Sequence, residues 1–444
     1  MKDLTTGKPS KVIIMFAIPL MCGYIFQNLY NMVDSKIVSS YVGTNAFAAV
    51  GATSVVSNMI AAFINGLTQG YAIPVARNFG AKNYDRMRKC VAGTFVLTAS
   101  VTVLLAVLSQ IFIQDILRLL DTPAEIMNDA VSYVRIILFG IGFSALYNMC
   151  ANLLRGVGDS KTPLYCLIAS VIINIGLDLL FVNTFKMGIK GAAYATIISQ
   201  AISGGACFIY MFARFREMLP KKESWYTGKD NYRELVSTGL SMGLMSCIVN
   251  IGTVVLQSAI NSLGTDIVAA HTASRKVFDI LNVMLYTIGL ATTTFVSQNI
   301  GAGKTERVRT GIRQALIMVT VISTFLLVVC FAFANPVLRW LASTDKPEII
   351  DSAMMYTRIS ICFFYALGPL FVLRMALQGM GRKIIPVFTS ILEMILKICS
   401  AAFLVPALGY FGVALTEPIS WCVMATVLAI AYFSKLPGKE TAKS

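Results

Sequence analysis

Apolar residues run along this chain in long blocks of similar length, each ended by a short polar stretch. A helix needs about 20 such residues to cross the hydrocarbon core of a bilayer. Twelve spans fit the pattern, at 12–34, 46–74, 91–113, 132–154, 164–183, 190–212, 236–261, 267–297, 311–334, 354–377, 385–405 and 411–433. The pattern therefore predicts an all-α polytopic membrane protein with twelve transmembrane helices. Pro19 lies inside the first block and is expected to kink or locally break that helix, because proline lacks the N–H that the ladder needs.

Charge then sets an orientation. One set of loops is rich in Lys and Arg: Arg77, Lys82, Arg86, Arg88 and Lys89; Arg155 and Lys161; Arg214 to Arg233; Lys304 to Arg313; Arg382 and Lys383. Both termini are basic as well. The opposite set carries Asp115, Asp121, Glu125, Asp129, Asp345, Glu348 and Asp351. By the positive-inside rule the first set, with both termini, is expected on the cytoplasmic side.

Composition sharpens the class. Of 444 residues, 56% are hydrophobic and only 13% charged, with a net charge of +15. Soluble chains carry about 25% charge. Mean hydropathy is +0.72. The positive excess sits in alternate loops and is not interleaved with exposed aromatics, so no nucleic-acid partner is expected. The 10 cysteines are scattered singly with no CxxC, and His271 has no Cys or His neighbour in sequence, which argues against a disulfide framework or zinc site. "MKDLTTGKPSK" runs straight into an apolar block with no small-residue cleavage site, so the first helix is expected to be retained.

The chain also repeats. "YVGTNAFAAVGA" (41–52) pairs with "SLGTDIVAAHTA" (262–273), and "ARNFGAKNYDRMRK" (76–89) with "SQNIGAGKTERVRT" (297–310). "LLRGVGDSKTP" (153–163) pairs with "ALQGMGRKIIP" (376–386), and "MGIKGAAYAT" (187–196) with "LGYFGVALTE" (408–417). The offset is 221–223 residues each time. This predicts two six-helix lobes, 1–213 and 236–444, joined by a cytoplasmic linker at 214–235. Since six is even, the lobes share one orientation and should be related by a pseudo-twofold axis along the membrane normal. "GVGDSK" lacks the full phosphate-loop spacing and follows a span, so a tight helix-to-helix turn is the better reading. With no nucleotide motif, no ATP-binding element is expected here.

Several stretches together resemble the multidrug and toxic compound extrusion (MATE) family of secondary transporters, of bacterial type: "QNLYNMVDSKIVSSYVGTNAFAAVG", "VARNFGAKN", "RGVGDSKTP", "NIGLDLLFV", "GIKGAAYATIISQ" and "VAAHTAS". The resemblance covers essentially the whole chain. It implies a V-shaped pair of lobes around a central cavity, and export of organic, often cationic, compounds against an inward Na⁺ or H⁺ gradient. It further implies a multi-pass protein of the bacterial inner membrane, monomeric, with membrane lipid and small organic molecules as partners and no cofactor beyond the coupling ion.

Buried polar residues lead to the same place by depth. In "SVIINIGLDLLFV" (170–182), Asp178 lies about 21 Å into the fifth span at 1.5 Å per residue, and Asn174 lies one turn earlier on the same face. Thr196 on the sixth span lies about 9 Å below the outer surface, and Asp34 stands at the outer end of the first span. All four fall in the outer half of one lobe. Two carboxylates, an amide and a hydroxyl suit a hard cation; two close carboxylates could equally share a proton. In the family resemblance, the first-lobe ion site matches Asp34, Asn174, Asp178 and Thr196 residue by residue, with Asp34 and Asp178 as Na⁺ ligands if sodium is the ion. The alternative is that Asn174 and Asp178 are polar glue between helices.

The second lobe has no copy of the pair: Asp34 maps to Val255 and Asp178 to 399–401. Asn250, Gln257, Glu393 and Glu417 are its candidate substrate or polar-site residues. Glu393 with Lys397, and Arg275 with Asp279, are spaced to form pairs along one helix face, and structural pairing is the favoured reading for them. Tyr30 and Tyr147 are candidates for stacking on a cationic substrate, and the 21 methionines could line an adaptable cavity.

The expected function is thus a secondary-active multidrug efflux antiporter working by alternating access. A flippase for a lipid or lipid-linked substrate is the alternative, and it would want a cationic cavity. An enzyme is not expected, because no paired-acid metal motif or nucleophile with a base is visible. A passive channel fits less well with an asymmetric set of buried acids.

Overall fold

A computed structural model of the chain describes residues 3–42, 44–120, 122–226, 228–342, 344 and 346–434. Asp121 and Asp345 of the acidic loops, Gly43 of the first repeated motif, Thr227 of the linker and the basic tail from Lys435 lie outside the described residues.

Helices dominate. In the first half they are α1 (Pro9–Tyr41), α2 (Thr44–Gly80), α3 (Tyr84–Leu119), α4 (Ala124–Phe139), α5 (Ile141–Gly156), α6 (Lys161–Asp178) and α7 (Ile189–Arg214). In the second half they are α8 (Lys229–Asn261), α9 (Thr265–Gly301), α10 (Thr305–Ala342), α11 (Pro347–Cys362), α12 (Phe364–Gly379), α13 (Ile384–Cys399), α14 (Val405–Leu408) and α15 (Tyr410–Ser434). Among the described residues, 10 helices are long and apolar enough to cross a membrane, and the count reaches 12 when two bent pairs are each taken as one span.

Those bent pairs correct the expected spans. The fourth span is α4 and α5, meeting at 43°, and the tenth is α11 and α12, meeting at 51°. At each joint an i→i+3 bond tightens the ladder: Phe143 N–H donates to Gly140 at 3.0 Å, and Ala366 N–H to Phe363 at 2.9 Å. At Gly140 a Cβ would come within 2.4 Å of the Ile197 side chain, so the first joint depends on glycine. Pro19 does not interrupt the first helix, which is continuous from Pro9 to Tyr41.

The repeat is structural in detail. Gly158 and Gly381 both take positive φ (88° and 82°) in the turns that end α5 and α12, as do Gly188 and Gly409 (60° and 59°) ahead of α7 and α15. "GVGDSK" is therefore a tight turn. A π-helical stretch follows α6 at Leu179–Thr184, and its counterpart follows α13 at Ser400–Leu404.

Packing divides the chain differently from the sequence halves. One compact unit comprises 1–3 and 22–243; the other comprises 4–21 and 244–444. The division falls inside α8, not in the 214–235 linker, and α1 belongs to the second unit as far as Met21 and to the first from Cys22. The physical reason is burial: Leu4, Ile13, Phe16 and Leu20 pack in the same core as Phe295, Ile312 and Leu373. The linker and early α8 instead bury Met218 and Leu235 with Tyr71, Met87 and Leu154. Large apolar side chains such as Val103, Ile172, Phe325 and Phe403 stay exposed, as lipid-facing surface requires. Many Ser and Thr hydroxyls bond back to a carbonyl one turn earlier, Thr292 to Ile288 among them, so they carry no unpaired donor into an apolar surround.

Candidate functional site

Four helices of the first unit bring polar side chains together. α6 is almost wholly apolar until its last turn, where Asn174 and Asp178 stack on one face and are buried. The helix then changes to π geometry directly after Asp178. π turns often occur at functional positions, because they displace side chains from the regular helical register. With its amide oriented so that both ends are paired, Asn174 donates to Asp178 Oδ2 at 2.8 Å and accepts from the Thr196 backbone N–H at 3.3 Å. Thr196 on α7 donates its own hydroxyl proton to the Ala192 carbonyl at 3.0 Å, which leaves its oxygen as an acceptor beside the Tyr30 hydroxyl.

α1 supplies Asp34 and Tyr30. The Asp34 and Asp178 carboxyl groups stand within hydrogen-bonding reach of each other. Tyr30 faces Thr196 and both carboxylates. Tyr133 of α4 lies close enough to the same two carboxylates to feel their charge; sequence reading missed it, because a tyrosine in an apolar block carries no pattern. Asp34, Asn174, Asp178, Thr196 and Tyr30 are therefore gathered in one place.

The decisive feature is what the carboxylates lack. Asp34 Oδ1 and Asp178 Oδ1 are buried and have no hydrogen-bond partner. Buried polar atoms are nearly always paired, and an orphan calls for a specific explanation. Two carboxylates in contact also repel when both are ionised. Either a proton shared between them or a cation held by both would satisfy the two oxygens at once. Among the described residues no group of three or more His, Cys, Asp or Glu could hold a metal ion. A cation here would rely on Asp34 and Asp178 for charge, with the Thr196 hydroxyl as a neutral oxygen donor.

The second unit is built on opposite terms, with its buried carboxylates Glu393 and Glu417 each paired to a cation. Arg275 on α9 donates to Glu417 Oε1 at 2.8 Å and reaches Asp279 at 3.2 Å. Tyr356 donates to the other Glu417 oxygen at 3.0 Å. Lys397 and Arg374 share Glu393 at 3.1 and 3.4 Å. The expected Arg275–Asp279 and Glu393–Lys397 neighbours thus meet, while Arg374 and Tyr356 enter from helices whose sequence gave no sign of it. Asn250 bonds to the Ser246 carbonyl at 2.8 Å and Gln257 to Asn261 at 2.9 Å, both on their own helix. Tyr147 is a core residue whose hydroxyl donates to Pro163 at 3.0 Å, so it is not poised to stack on a ligand.

Two repeated six-helix sets of spans, with an unpaired buried carboxylate pair in only one of them among the described residues, make this a multi-pass membrane protein with an internal duplication, and the family it matches is one of transporters. The chain belongs to the MatE family, whose model matches residues 19–180 and again 242–403. Among curated proteins it is similar to the probable multidrug resistance protein YoeA of Bacillus subtilis, 29% identical with 88% of this chain and 86% of that one covered. It is also similar to YpnP of the same organism, described in the same words, at 26% identity over 97% and 96% of the two chains. Among solved structures, a MATE protein crystallised in a bent conformation superposes with a TM-score of 0.91 at 23% identity, covering 99% of this chain and 98% of that one. At that identity the likeness speaks for the twelve-helix, two-lobe fold.

Proposed function

We propose that the protein is a secondary-active efflux transporter that exports organic, often cationic, compounds in exchange for Na⁺ or H⁺. The observation that carries this reading is the pair of orphaned oxygens on Asp34 and Asp178, which a single cation or proton would satisfy. Asn174 holds Asp178 in position, and Thr196 offers the neutral oxygen. Occupancy by the ion relieves the repulsion between the carboxylates and so favours conformations that bring them together. Coupling follows if the substrate prefers the conformations that the ion does not.

The energetics suffice. One elementary charge moving down the membrane potential releases about 2.3 kcal/mol per 100 mV. For an uncharged substrate exchanged one for one, that supports roughly a fifty-fold gradient, since each tenfold takes about 1.4 kcal/mol; a monocation exchanged one for one moves no net charge and draws only on the concentration gradient of the ion. The names of the relatives, two probable multidrug resistance proteins, support the substrate class. By the positive-inside rule the lysine- and arginine-rich loops face the cytoplasm of a bacterial inner membrane. A flippase is the weaker reading, since Arg275, Arg374 and Lys397 each already have a carboxylate partner.

Dye efflux in everted vesicles, with Na⁺ and H⁺ gradients imposed separately, tests the proposal. Wild type should respond to one gradient, while Asp34→Asn and Asp178→Asn should lose the response. Gradient-driven transport that survives in both variants would sink the assignment.

A further inference from the structure

The repeated motif at 76–89 and 297–310 plays no part in the ion site, yet both copies make the same kind of contact. Each is a turn with one bond pattern: Asn83 N–H donates to Asn78 and Lys304 N–H to Asn299, both at 2.9 Å. In the second unit the turn grips the chain leading into α1. Gln298 Oε1 accepts from Leu4 N–H at 3.0 Å, and Lys304 Nζ donates to the Thr5 carbonyl at 2.8 Å. The Arg307 guanidinium collects three carbonyl groups of that chain: Leu4 at 3.1 Å, Thr6 at 2.7 Å and Gly7 at 2.6 Å. These carbonyls precede the helix, and a planar multi-donor group can bond several of them at once.

In the first unit the same two repeat positions grip the start of α8. Arg77, the counterpart of Gln298, and Arg86, the counterpart of Arg307, each reach Glu234 at 3.0 Å, one to each carboxylate oxygen. The handle differs, a side-chain carboxylate in place of backbone carbonyls, but the position of the grip is conserved within the molecule. α1 and α8 are the two helices that change unit part-way along their length.

We propose that these loops are clamps that fix the feet of α1 and α8 and stay closed through the transport cycle, with Arg307, Arg77, Arg86 and Glu234 acting as positioning residues. α1 carries Tyr30 and Asp34 beyond its clamped foot, so a fixed foot lets ion occupancy at Asp34 act on the whole helix instead of dissipating in its end. Free ends of helices fray, and a frayed foot would not transmit position.

Hydrogen exchange on the full-length protein in detergent, followed at the amides of residues 8–20, tests the clamp without reference to transport. Arg307→Ala should speed exchange there about tenfold and leave α10 unchanged, and Arg307→Lys should fall between, since it keeps the charge but not the fork. Equal exchange in all three proteins would overturn the proposal. In everted vesicles, Glu234→Ala should lower the maximal efflux rate about tenfold with the half-saturating dye concentration within twofold. Combining Glu234→Arg with Arg77→Glu and Arg86→Glu should recover most of it. No loss in Glu234→Ala, or no recovery in a well-folded triple variant, would overturn it. The transport readout rests on the Asp34 site being the driving site. If that reading is wrong, Asp34→Asn transports normally while the exchange result stands.

Discussion

Glu417 takes a hydrogen bond from Arg275 at 2.8 Å on one oxygen and from Tyr356 at 3.0 Å on the other, so a buried carboxylate in the second unit is satisfied on both sides. Asp178 in the first unit is satisfied on one side only. The contrast is between a carboxylate with both oxygens held and one with an oxygen left open, and the consequences of substitution are expected to divide in the same way.

Glu417→Gln should behave as a stability variant. Breaking a buried ion pair costs about 3–5 kcal/mol, but Arg275 is partly exposed and keeps Asp279, so about 2 kcal/mol is expected. Thermal unfolding in detergent should fall by several degrees, with ion dependence of transport unchanged in the folded fraction. A variant with normal unfolding but no ion dependence would move Glu417 into the coupling machinery.

Asn174→Ala should act on the ion and not on the fold. It removes one charge-assisted hydrogen bond to Asp178, worth about 1.5–3 kcal/mol, which corresponds to roughly a ten- to hundred-fold change in apparent ion affinity. The measurement is the ion concentration, Na⁺ or H⁺, that half-saturates efflux. An unshifted midpoint would mean that Asn174 serves only the helix contact.

Two glycines give a matched pair of tests. A Cβ on Gly70 would lie 2.4 Å from the Thr238 carbonyl oxygen, whereas one on Gly176 would meet nothing within 4 Å. Gly70→Ala must push the α2 and α8 backbones apart and should cost about 1–3 kcal/mol. Gly176→Ala should be neutral or stabilise by up to about 1 kcal/mol, as alanine favours helix over glycine. Thermal unfolding of the two variants side by side checks both; equal stability would show that the close approach is not needed.

The turns of the two clamps differ at one repeat position. Lys82 adopts φ 56° where its counterpart Gly303 adopts φ 70°. A side chain in this region costs about 1 kcal/mol. Lys82→Gly should therefore raise thermal stability slightly, and Gly303→Ala should lower it by a similar amount. A lower melting temperature for Lys82→Gly would point to a role for the lysine side chain that outweighs the strain.

Much of this architecture could be read from the residues. Apolar blocks gave the spans because a bilayer fixes their length, and the constant offset between loop motifs gave the duplication because tight turns need particular residues, Gly158 and Gly381 for example. The candidate site was legible for a related reason: an Asn and an Asp one turn apart inside an apolar helix are costly to bury and so stand out from their surroundings. What stayed hidden depends on contacts between distant helices. Arg275 meets Glu417 across 142 positions, and nothing in the periodicity of either helix reports it. Arg374 sits in the run "FVLRMALQG" and looked like part of an ordinary span. The joints at Gly140 and Phe363 were missed because apolar composition continues through them, and Pro19 misled because a helix can absorb one missing donor without ending.

The sharing of α1 and α8 between units bears on how such a protein could be divided or assembled. A gene cut within 214–228 would yield two fragments, neither of which encodes a complete unit. The first fragment lacks the α8 start that its core buries against Tyr71 and Met87, and the second lacks the 4–21 segment that its core buries against Phe295. Separately expressed halves should be insoluble or degraded when alone and rescue each other only when made together. A half-length forerunner of the duplicated chain would have faced the same constraint, which a pair of copies could meet by exchanging the starts of their first helices.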